Sequence, residues 1–91
     1  CLKREKYESA IEVFRFLSHK DKLIIVGDEC VKHDQLVLAA KAYEFAQSKE
    51  KLNNVGDIFL QKEQLNNAYE VYRIAGNTIM IEFLRENFHM A

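Results

Sequence analysis

Three acids stand at one stride. Asp28, Asp57 and Glu86 recur every 29 residues, and carboxylates on a common period form a ladder that attracts a basic peptide or helix. The same acids also fit a solvated helix face, or an Asp held in a structural hydrogen bond between repeats. Charged runs on helices are commonly just solvated, which favours this second reading. Cys30-x-x-His33 has metal-ligand spacing, yet no second pair completes a zinc ligand set. Cys30 falls in an apolar column, as expected of a buried structural thiol. His19, His33 and His89 fall in turns or at the chain end, where a lone His is usually solvated. No carboxylate pair, Gly-rich phosphate loop or nucleophile–base arrangement stands out. The expectation is a non-enzymatic chain without catalytic residues, metal or cofactor.

Composition narrows the partners. Thirteen Lys and Arg against 14 Asp and Glu leave a net charge of −1 over 91 residues, which argues against a nucleic-acid binder that neutralises phosphates. Pro is absent and Gly occurs three times, so long irregular loops are not expected. The longest strongly apolar run, Leu23-Ile24-Ile25-Val26, is far short of a membrane span, and direct membrane insertion is not expected. No secretory apolar segment opens the chain. Two Cys make no disulfide framework, so an intracellular, cytoplasmic setting is expected. A first residue that is Cys rather than Met suggests a piece of a longer array.

The elements that position these residues come from one duplicated stretch. KLIIVGDECVKHDQLVLAAKAYEFA, residues 22–46, aligns without a gap on KLNNVGDIFLQKEQLNNAYEVYRIA, residues 51–75. Lys22/Lys51, Leu23/Leu52, Val26/Val55, Gly27/Gly56, Asp28/Asp57, Gln35/Gln64, Leu36/Leu65, Ala39/Ala68, Tyr43/Tyr72 and Ala46/Ala75 are identical pairs. Apolar spacings of three and four predict helices over 5–17, 20–32, 35–47, 49–61, 64–75 and 79–88. LIIV alone reads as a buried strand. Its aligned copy, Leu52-Asn53-Asn54-Val55, keeps one apolar stripe only as a helix.

Ser18, with Asp21 three residues on, reads as a capping box for the second helix. Asp34 reads as the N-cap of the third. Gly76-Asn77 is the strongest stop signal, with Asn77 or Thr78 capping the last helix. A helix pair cannot bury its stripe alone, so successive pairs are expected to stack. Gly27 and Gly56 would let a facing helix approach closely, opposite Ala39 and Ala68. Tyr43 and Tyr72 would plug the space between successive pairs.

Leu52-x-x-Val55-Gly56-x-x-Phe59 followed by Ala68-x-x-x-Tyr72-x-x-Ala75 resembles the tetratricopeptide repeat, and Leu23, Val26, Gly27, Cys30, Ala39, Tyr43 and Ala46 match likewise. The resemblance spans nearly the whole chain but departs in period, 29 residues against about 34. The short links at Ala46-Gln47-Ser48 and Ala75-Gly76-Asn77 are similar to the helical hairpins of clathrin, coatomer and intraflagellar-transport solenoids. The resemblance implies an all-α, right-handed α-solenoid of antiparallel hairpins, about six helices, with units 1–19 (partial), 20–48, 49–77 and 78–91 (partial). It places Asp28, Asp57 and Glu86 on a concave groove, with Ile24, Asn53 and Glu82 nearby and Asp21 and Glu50 one turn before.

The partner-binding set expected from it is Asp28, Asn53, Asp57, Glu82 and Glu86, taking a protein or peptide, basic if the ladder acts. A carboxylate clamp wants Asn or a base where Asp28 and Asp57 stand. The functional expectation is a protein–protein interaction scaffold or adaptor. The alternatives are an architectural spacer in a coat or transport assembly and a positioning appendage of an enzyme. Leu2, Ile11 and Phe16 at one end, with Phe88 and Met90 at the other, are expected to be exposed and to drive self-association.

Overall fold

The computed structural model describes residues 2–88. It is all-α, with six helices and no strand among the described residues: α1 Leu2–Phe16, α2 Lys20–Lys32, α3 Leu36–Ala46, α4 Lys49–Gln61, α5 Leu65–Ala75 and α6 Thr78–Phe88. The expectations attached to Cys1, the Leu2 side chain, His89 and Met90 lie outside the described residues. The LIIV stretch is helical, as its Asn-bearing copy requires. None of the helices described is long and apolar enough to cross a membrane.

Two units divide the chain, Cys1–Ser48 and Lys49–Ala91. In the first, α2 and α3 form the main packed pair and α1 lies against both. Contacts pair residues of rising number on α2 with residues of falling number on α3: Lys20 with Gln47, Gly27 with Tyr43. The pair is therefore antiparallel. The Arg15 guanidinium of α1 lies 4.5 Å over the Phe45 ring of α3, a cation–π contact. Ile11, expected to be exposed, is buried because α1 packs against both helices of the pair. Phe16 is exposed as expected. In the second unit α4 and α5 form the corresponding pair and α6 lies on α5. Leu84 of α6 is fully buried, while Phe88 is exposed.

All five turns end the preceding helix in the same way. Ser18, Asp34, Gln47, Glu63 and Gly76 have φ of 54°, 61°, 60°, 61° and 73°. Each N–H donates to the carbonyl three residues back, and the next N–H donates to the carbonyl five back, at 2.7–3.1 Å. This is the Schellman closure, which satisfies carbonyls that a helix end leaves open. The left-handed positions keep the 29-residue stride, as 18, 47, 76 and as 34, 63, so the duplication is written in the backbone as well as in side chains.

Two capping expectations are corrected by this finding. Ser18 and Asp34 close α1 and α2 and do not cap the helices that follow. The N-caps of α2 and α3 are His19 and Gln35, neither of which makes a side-chain capping bond. Asn77 does cap α6, its Oδ1 accepting from the Met80 N–H at 3.2 Å.

Left-handed φ costs a non-Gly residue roughly 1–2 kcal/mol through Cβ, against about 0.5–1 kcal/mol of chain entropy that Gly loses on folding. Urea titrations should therefore show Glu63→Gly gaining up to about 1 kcal/mol. Gly76→Ala, whose new Cβ meets no atom within 4 Å, should lose about 1 kcal/mol through backbone strain alone.

Candidate functional site

The acidic column leads into the core. Tyr43 and Tyr72 are buried in their units, and a buried hydroxyl needs a partner. Tyr43 Oη donates to Asp28 Oδ1 at 2.5 Å, and Tyr72 Oη donates to Asp57 Oδ1 at 2.5 Å. Donor and acceptor are 15 residues apart in both units, on the two helices of one antiparallel pair. The bond is structural, as one reading of the column holds, but it lies within a pair rather than between repeats.

The glycine one residue earlier explains the geometry. A Cβ at Gly27 would stand 2.4 Å from Tyr43 Cε1, and one at Gly56 would stand 2.5 Å from Tyr72 Cε1. The phenol ring lies flat where a side chain would be. The expected role for these glycines is thereby revised: the neighbour they admit most closely is a ring, not the backbone opposite Ala39 or Ala68. Each Tyr correspondingly fills its own pair. Burial, helped by the hydrogen bond to the Asp carboxylate, pushes both phenols well above the usual tyrosine range.

The remaining candidates sort by helix. Asn53, half-buried on α4, accepts from Asn77 Nδ2 at 3.0 Å. Because Asn77 also caps α6, this bond ties the start of α6 to the middle of α4. Glu82 and Glu86 stand exposed one turn apart on α6. They share an open depression with Thr78, Ile79, Phe83 and Asn87. Ile79 is 79% exposed and Phe83 43%. Asp21 and Glu50 are exposed near the starts of α2 and α4, and Ile24 is half-buried. Thus Asp28, Asp57 and Asn53 each hold a hydrogen bond within their unit, the two Asp residues while exposed to solvent, and Glu82 and Glu86 face outward beside two apolar side chains.

Cys30 and His33 do not converge. Cys30 is fully buried, and burial pushes its thiol up to about 11. His33 stacks on Tyr7, ring centroids 6.2 Å apart, with Nε2 3.6 Å from Glu29. His19 lies edge-on to Phe14 at 6.1 Å. No group of three or more potential metal ligands gathers among the described residues.

Sequence reasoning found the Asp and Tyr columns but not their bond. The signal was present: Asp at 28 and 57 precedes Tyr at 43 and 72 by the same interval. Ile79 and Phe83 carried no such mark, because their columns hold Asp21, Glu50, Ile25 and Asn54 elsewhere.

Truncating the ring should cost most. Tyr72→Ala is expected to lose about 3–5 kcal/mol in chemical unfolding. Tyr72→Phe should lose only about 1 kcal/mol, since water can replace the hydroxyl at the exposed Asp57. Gly56→Ala should lose roughly 1–3 kcal/mol by overpacking against the ring, and much less when Tyr72 is already Ala.

The raised tyrosines also set an alkaline limit. Their contribution is intact below the ordinary tyrosine pKa, near ~10. It falls as pH rises above that, because the unfolded phenols ionise first. Stability measured through this range should drop more steeply for the wild type than for Tyr43→Phe/Tyr72→Phe. Compared with protein-family models, with curated proteins and with solved structures, the chain matches none.

Proposed function

We propose that the chain is a non-catalytic protein–protein interaction segment of a tetratricopeptide-like α-solenoid, acting as a scaffold or adaptor within the cell. The observation that carries this reading is the outward face of α6, where Ile79 and Phe83 lie bare beside Glu82 and Glu86. Burying an Ile or Phe side chain contributes about 1.5–3 kcal/mol. An exposed ion pair contributes about 0.2–1 kcal/mol. The two apolar groups would therefore supply most of the affinity and the two carboxylates would select a basic partner. The fitting ligand is an amphipathic helix or peptide with Lys or Arg flanking one apolar stripe.

A second reading, an architectural spacer in a coat or transport assembly, is favoured by the engagement of Asp28 and Asp57 inside their helix pairs. Carboxylates that accept from buried phenols serve packing first, and a spacer needs packing alone.

Fluorescence anisotropy with two labelled amphipathic peptides, one Lys/Arg-rich and one Glu-rich, separates these readings. The interaction reading expects the basic peptide to bind the full chain and to weaken with salt. The Glu82→Lys/Glu86→Lys variant should then bind it roughly two- to thirtyfold less tightly, the range set by two exposed pairs. Equal binding of both peptides, or of the variant and the wild type, would overturn it; binding of neither leaves the spacer.

A further inference from the structure

We draw no further inference here: the strongest candidate, the apolar groove between α1 and α2 lined by Lys6, Tyr7, Ala10, Ile25, Val26 and Glu29, carries nothing because nothing in the structure shows what covers it.

Discussion

A phenol ring pressed against a glycine is the contact on which each helix pair turns. The ring needs a flat surface, so the facing helix gives up a side chain at Gly27 or Gly56. The hydroxyl is carried in with the ring, so the residue after the glycine must accept its hydrogen bond, and Asp28 or Asp57 does. Three residue types on two helices are therefore one device. The magnitudes support retaining it. Gly in a helix costs about 0.5–1 kcal/mol, and an unsatisfied buried hydroxyl would cost about 1–3 kcal/mol. Losing a large buried side chain costs about 3–5 kcal/mol. The ring outweighs the glycine by most when its hydroxyl is satisfied, which favours Gly and Asp side by side.

The device depends on register, and the turns supply it. Asp and Tyr lie 15 residues apart, so the two helices must reverse through the same short link each time. A left-handed residue at Asp34 and at Glu63 does this with one conformation, and Ser18, Gln47 and Gly76 reproduce it at the other links. Four of these five residues bear a Cβ that the left-handed region disfavours. Two backbone hydrogen bonds per turn and the packing of the flanking helices hold them there. Contacts within a pair close over few residues, so the loop-closure cost is small and the pairs can form early and locally.

Much of the fold was legible because helix and repeat are both periodic. The ten identical columns set the alignment, and Asn53-Asn54 beneath Ile24-Ile25 removed the strand reading. Gly76 announced its own conformation. Ser18 and Asp34 did not, since Ser and Asp are preferred at N-caps and each lies between two helices that could claim it. The carbonyls of the earlier helix won, a competition that residue type alone does not decide. The candidate site was legible only in part. Columns show which positions repeat, not which columns touch, so the Asp column admits both a partner-facing ladder and a structural hydrogen bond, and only the fold shows Asp28 bonded to Tyr43. Ile79 and Phe83 repeat nothing. A surface that departs from the period is invisible to a method that looks for the period.

That departure is informative in itself. Where the chain's repeats are complete, Gly, Asp and Tyr occur together. At α6 the Gly column holds Arg85 and the Asp column Glu86, and at α1 the Tyr column holds Phe14. Each member of the device is physically useless without the others: a glycine with no ring only weakens its helix, and a carboxylate with no buried phenol is a surface charge. With Arg85 in the Gly column, α6 cannot take a ring laid flat as α2 and α4 do, and Arg85 and Glu86 both stand exposed. The same columns that lock α2 on α3 and α4 on α5 thus carry other residues in α1 and α6, and the change follows from which neighbour each described helix has, with no change of fold.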